Sequence, residues 1–224
     1  MNWGVGFDLD HTIAIDHHLE TRVLHRMLIN GGAAPADAGR EAADAVARYR
    51  AGGLALSAAL APLFPGPSLP ESLSEFKRRC VAGAATQCVA LPGLHSLLAR
   101  LREAHIPYGV LSNGWNPLQR AKLEAIGYDG IALISDDIGA RKPEARAFEL
   151  LRAALGGPER CWYVGDDPHG DVEGALGAGL SAVWFDDGTT AWPGDLSPPP
   201  ERVTELAEVA CVLGLDPPAP ERER

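Results

Sequence analysis

Cysteine is scarce in this chain. The four that occur, Cys80, Cys88, Cys161 and Cys211, form no CxxC pair and stand in no His/Cys cluster. That spacing excludes the common zinc frameworks and argues against a disulfide scaffold, so a reduced, cytoplasmic setting is expected. No apolar run approaches the ~20 residues needed to cross a bilayer. The N-terminus enters a strand-like pattern without a basic start, so no leader is expected. Positive charge is also in deficit, with 20 Lys and Arg against 30 Asp and Glu and a formal net charge of −10. An acidic surface repels nucleic acid and anionic lipid, which excludes a large polyanionic partner. It does not exclude a small phosphate, because a bound cation and a few donors override the global field locally.

What is present is a globular composition. Hydrophobic residues make up 46% of the 224 positions and charged residues 22%, enough apolar surface for a buried core. The length is generous for one average domain. Residues 5–9 read as a short apolar strand ending in polar side chains. Residues 19–89 then read as helical. Leu19, Val23, Met27 and Leu28 recur at helical spacing, and Asn30-Gly31-Gly32 form a stop. Residues 36–50 and 54–63 continue the helical block. Pro62, Pro65, Pro67 and Pro70 punctuate a linker, and residues 71–89 form a last helix.

From Pro92 onward, strands and helices alternate. Strands are expected at 108–112, 131–135, 161–165 and 181–185. Helices are expected after Leu94, at 117–126, from Pro143, at 171–178 and at 203–213. Such alternation implies a parallel, doubly wound α/β sheet, Rossmann-like in kind. The expected organisation is an α/β core from 1–14 plus 90–215, an inserted all-α domain at 15–89, and a frayed tail at 216–224.

In open α/β sheets, ligands bind beyond the carboxyl ends of the strands. The first strand ends in Asp8, Asp10 and Thr12, and the second in Ser112-Asn113-Gly114. Arg141-Lys142-Pro143 stands at a helix start. The fourth strand ends in Gly165-Asp166-Asp167-Pro168-His169-Gly170-Asp171. Carboxylates alone suit a metal. Carboxylates with a lysine and a Ser-Asn-Gly turn suit a metal together with a phosphate, whose charge Mg²⁺ and an ammonium neutralise jointly.

These four motifs, in this order, resemble those of the haloacid dehalogenase-like hydrolases, and the inserted helical block resembles that family's C1-type cap. The resemblance implies a Mg²⁺-dependent phosphatase acting on a small phosphorylated metabolite. Asp8 is implied as the nucleophile that forms an aspartyl-phosphate, and Asp10 as the general acid/base. Ser112 and the backbone N–H of Asn113 are implied to hold the phosphoryl oxygens, and Lys142 to pair with the phosphate and Asp8. The implied metal ligands are Asp8, Asp10 through its carbonyl, and Asp166. Asp171 is implied to act behind them, through water or by orienting Lys142, with a helix N-cap as its other reading.

Asp167 is a competing ligand beside Asp166, which the family match favours. His11, His17, His18 and His169 are read as exposed loop residues, and Arg22, Arg48 and Arg50 as solvated helix faces. The turn at residues 30–35 is a candidate for reaching the site, and Trp115 either lines the entrance or packs.

Asp10 argues against dehalogenation, which needs no protonated leaving oxygen. The only lysine in the helical block, Lys77, lies in its last helix, and Asp10 again argues against phosphonate chemistry. A phosphomutase or phosphotransferase on the same scaffold and a non-catalytic phospho-ligand binding protein are the alternatives.

Overall fold

The computed structural model describes residues 2–52 and 54–215, so the expected tail lies outside the described residues. The chain divides into two compact units. One comprises Met1–Ile15, Val89–Asn116 and Tyr128–Arg224, and the other Asp16–Cys88 and Pro117–Gly127.

The first unit is built on β1 (Trp3–Phe7), β4 (Tyr108–Ser112), β5 (Ile131–Ile134), β6 (Arg160–Gly165), β7 (Ser181–Phe185) and β8 (Arg202–Val203). They form one sheet in the order β5-β4-β1-β6-β7-β8, parallel throughout. The central strands are almost wholly buried, which explains why they read as continuous apolar runs rather than alternating ones. Phe7 pairs with Val110 on one side and Val164 on the other. The ends of β4, β1 and β6 therefore stand side by side, and the chain reverses direction across the sheet at β1. That is where an open α/β sheet opens a crevice.

Helices α5 (Leu94–Glu103), α7 (Ser135–Ile138), α8 (Ala145–Ala154), α9 (Gly174–Gly177) and α10 (Leu206–Val212) complete this unit. Leu94, Leu97, Leu98 and Leu101 bury one stripe of α5, as their spacing requires. Phe148 and Leu151 of α8 pack with Leu111, Tyr163 and Ala182. A small antiparallel pair, β2 (Ala14–Ile15) with β3 (Val89–Ala90), stands where the chain first leaves the unit and first returns to it.

The structure corrects several boundaries. Val203 belongs to β8, and the closing helix starts only at Leu206, where Glu205 and Glu208 form a capping box. Residues 168–173 form a wide helical turn in which the Val172 N–H reaches back five residues to Asp167 O, and α9 follows it. Pro143 precedes α8 rather than opening it.

The second unit holds α1 (Leu19–Asn30), α2 (Pro35–Arg50), α3 (Leu56–Leu60), α4 (Leu69–Gln87) and α6 (Leu118–Ala125). Pro70 lies in the first turn of α4, where a missing N–H costs nothing, rather than in a linker. The strand–helix alternation assigns α6 to the core, but it packs with α4 among the helices. The physical reason is a buried ion pair. Lys122 Nζ of α6 lies 2.6 Å from Asp16 Oδ2, with both side chains almost fully enclosed. The other Asp16 oxygen accepts from the His18 N–H at 2.9 Å, ahead of α1.

Removing one partner of a buried pair strands the other charge and costs about 3–5 kcal/mol. Lys122→Ala is therefore expected to lower the urea unfolding free energy by about that much. A loss below about 1 kcal/mol would mean that Asp16 finds solvent or another cation.

Candidate active site

The carboxyl ends of β1, β4 and β6 bring Asp8, Ser112, Lys142, Asp166 and Asp171 into one region. Asp8, Ser112, Lys142 and Asp171 are buried. Lys142 Nζ donates to Asp8 Oδ1, faces Asp171 Oδ1 at 2.6 Å and donates to Tyr163 Oη at 3.0 Å. Oxygens of Asp8, Asp166 and Asp171 lie within 4.8 Å of one another.

The loops that hold these groups are locally specified. After β1 the chain turns tightly: Ile13 N–H and Ala14 N–H both return to Leu9 O, and His11 adopts φ +64°. The turn buries Thr12, whose Oγ1 donates to Asp166 Oδ1 at 3.2 Å. Asp10 is half-buried there, and its charge adds to the load on Asp8. Asn113 clasps the backbone of Lys142 at both polar groups. Its Nδ2 donates to Lys142 O at 2.9 Å, and its Oδ1 accepts from the Lys142 N–H at 2.9 Å. Asp171 Oδ2 accepts from the Asp167 N–H at 3.0 Å. This approach needs Gly165, because a Cβ there would meet the Asp171 carboxylate at 2.3 Å.

The competition between Asp166 and Asp167 has a clear geometric outcome. Asp166 stands in the carboxylate cluster, whereas Asp167 is exposed and its Oδ1 accepts from the His169 N–H at 3.0 Å. Asp171 is not the helix N-cap, a place taken by Asp167; it joins the carboxylate cluster and pairs with Lys142.

His11 departs from the bland exposed reading. It is half-buried, with Nδ1 3.1 Å from Asp187 Oδ2. His17, His18 and His169 are exposed. Arg48 and Arg50 are exposed but engaged: Arg48 donates to Ala59 O, and Arg50 pairs with Glu20 at 3.0 Å. Trp115 packs, fully buried.

Three neighbours carried no sequence signal. Tyr163 reads as one more apolar strand residue, and the positions of Trp184 in β7 and Asp187 just after it give no hint of their partners. Trp184 Nε1 donates to Asp166 O at 3.1 Å, which steadies the backbone of that carboxylate.

The electrostatics of the cluster follow from burial. Desolvation and the charge of Asp171 raise Asp8 from the ordinary 3.8 to about 7, even though Lys142 pulls it down. Desolvation, then Asp8 and Asp171, push Asp166 up to about 9. Desolvation raises Asp171 as well. For Lys142, desolvation opposes the charge, but Asp171 and Asp8 overcome it and hold the ammonium well above its ordinary value. The ammonium pairs with Asp8 and Asp171, and Asp166 stands alongside; with all three carboxylates ionised, two negative charges are left over, which a divalent cation would balance. The donors are all oxygen, which suits a hard ion such as Mg²⁺.

Comparisons with known proteins bear on the family and the fold. The family model described as haloacid dehalogenase-like hydrolase matches residues 4–179. A phosphoserine phosphatase of Thermus thermophilus is 38% identical over 129 residues, 55% of this chain and 51% of that protein. The pyrimidine 5′-nucleotidase YjjG of Escherichia coli is 30% identical over 131 residues, 55% of this chain and 58% of that protein. The chain thus spans about half the length of the relatives it matches. Among solved structures, the HAD-hydrolase YfnB of Bacillus subtilis bound to magnesium has a TM-score of 0.72 at 18% identity, covering 95% of this chain and 99% of that one. At that identity the likeness concerns the fold.

The raised carboxylates give a signed pH dependence. Without metal, the folded state keeps protons that the unfolded chain has already released, from pH 3.8 up to about 9. Stability in EDTA is therefore expected to fall as pH rises through that window. Mg²⁺ binds the deprotonated form, so it should raise Tm at pH 8 and do little at pH 5. At about 100 times its Kd the gain is about 2.7 kcal/mol. A Tm indifferent to Mg²⁺ at pH 8 would argue against a metal at this cluster.

Proposed function

We propose, on the premise that the chain belongs to the haloacid dehalogenase-like hydrolases, that it is a Mg²⁺-dependent phosphatase of a small phosphorylated metabolite. The observation that carries the reading is the cluster in which Lys142 pairs with Asp8 and Asp171 while the carboxylate of Asp166 stands beside them.

In this reading an Asp8 oxygen attacks phosphorus in line. The bond to the ester oxygen breaks, and Asp10 delivers a proton to the leaving alkoxide. Lys142 favours the anionic form of Asp8 before attack and faces the phosphoryl oxygens afterwards. The Ser112 side chain and the Asn113 N–H hold those oxygens as charge redistributes. Asp10, now a base, takes a proton from water, which attacks the aspartyl-phosphate and releases orthophosphate. Asp8, Asp166 and the Asp10 carbonyl would hold Mg²⁺, with Asp171 orienting Lys142 behind them. The cation, when bound, neutralises charge on the transferring group. The helical segment 15–89 is assigned the part of the cap that the family resemblance implies. That assignment fits a small metabolite better than a phosphoprotein.

The two aspartates are separable by experiment. Asp8→Asn is expected to lower p-nitrophenyl phosphate turnover by more than about 10³-fold with the fold intact. Asp10→Asn should lose about 10²–10⁴-fold on alkyl phosphates. With p-nitrophenyl phosphate, whose leaving group needs no proton, it should release one equivalent of nitrophenol in a burst and then stall as the acyl-phosphate. Near-normal rates in Asp8→Asn would sink the nucleophile assignment. A metabolite panel scored by orthophosphate release tests the substrate class. Phosphate moved to another acceptor instead of water would point to a phosphotransferase.

A further inference from the structure

Tyr163 lies at the middle of the cluster yet belongs to none of the four motifs. Its side chain is fully buried on β6. The hydroxyl donates to Leu111 O at 2.8 Å and accepts from Lys142 Nζ at 3.0 Å. Leu111 immediately precedes Ser112. One hydroxyl therefore ties the strand end that presents Ser112 to the ammonium that faces Asp8.

The fold makes room for this arrangement. Across the sheet Gly109 pairs with Gly6, and Gly6 with Tyr163. A Cβ at Gly6 would stand 2.8 Å from Tyr163 Cδ2 and 2.3 Å from Leu151 Cδ2, so the ring lies over a strand position that only glycine leaves open. Phe148 closes the other side in an edge contact, with centroids 5.1 Å apart and planes at 86°. The ring has little freedom, and neither does its hydroxyl. Burial holds the phenol in its neutral form.

An ammonium has three protons. Around Lys142 Nζ they meet Asp8, Asp171 and Tyr163, two charged acceptors and one neutral. A lysine held only by carboxylates would follow whichever one moved or gained charge. The neutral acceptor is fixed to the sheet and does not change charge during phosphoryl transfer.

We infer that Tyr163 is a positioning residue for the transfer step: its hydroxyl holds the Lys142 ammonium in register with Ser112, so that both meet the same phosphoryl group. This inference rests on the phosphatase reading of the cluster.

The test is Tyr163→Phe in the full chain with Mg²⁺, assayed well below its Tm. Lys142 loses one acceptor, and the ring stays. Turnover (kcat) of p-nitrophenyl phosphate is expected to fall about tenfold or more, and inhibition by orthovanadate to weaken in parallel. KM and the Mg²⁺ half-saturation should stay within about threefold. A hydroxyl that only packs would lower Tm and leave kcat and vanadate inhibition within about twofold of wild type, which would overturn the inference.

If Tyr163→Phe does not fold, a wild-type crystal structure with orthovanadate decides. Nζ within about 3.2 Å of Tyr163 Oη supports the role, and Nζ withdrawn from it overturns it. Failure of the phosphatase reading looks different. Wild type would then turn over neither p-nitrophenyl phosphate nor the metabolite panel, while the vanadate structure would still report on Tyr163.

Discussion

Lys142 carries a full positive charge into a space from which water is nearly excluded, and the geometry around it can be understood as the means of keeping it there. Burying an ammonium alone is prohibitive. Two carboxylates, Asp8 and Asp171, supply the counter-charge, and a third, Asp166, lies close by. The carboxylates in turn are held up in pKa by their own burial and by one another. The cluster is thus poised: one ammonium is too little positive charge for three ionised carboxylates, and a divalent cation would make up the difference.

The surrounding architecture keeps that imbalance from relaxing. Asn113 fixes the Lys142 backbone at two points, Thr12 and Trp184 fix Asp166, and Gly165 lets Asp171 come close. The Asn113, Thr12 and Trp184 contacts each tie one segment at the strand ends to another, while the Gly165 approach lies within the turn after β6. Side chains placed this way are held by short, hydrogen-bonded loops anchored at the strand ends, which is what preorganised electrostatics requires. The helical unit shows the same economy in its own buried pair, Asp16 with Lys122, which holds α6 among helices distant from it in sequence.

Much of this was legible in the chain. Continuous apolar runs marked the parallel strands and the Leu94–Leu101 stripe marked a helix, because burial on one or both faces imposes a period on the residues themselves. Polar residues clustered where each strand ended, because polar side chains at those positions reach the crevice. The misread segments have local causes. The strand at Arg202–Val203 is two residues long and too short to show a period. Residues 168–173 form a wide turn where an ordinary helix start was expected. Helix α6 has an unremarkable amphipathic pattern, and its allegiance depends on a lysine whose partner is 106 positions away in sequence, between Asp16 and Lys122.

By itself the sequence determined the α/β alternation, the parallel sheet and the chemical character of each strand end, since periodicity and residue type are local properties. Tertiary structure alone decided which of those ends are neighbours. The order β5-β4-β1-β6-β7-β8 brings Lys142 onto Asp8 across 134 positions, puts Asp166 rather than Asp167 into the cluster, and sets Tyr163 beneath the ammonium. It also decided the protonation of the carboxylates. Charge interactions and desolvation act through space, and their strength follows distances and burial that no stretch of sequence contains.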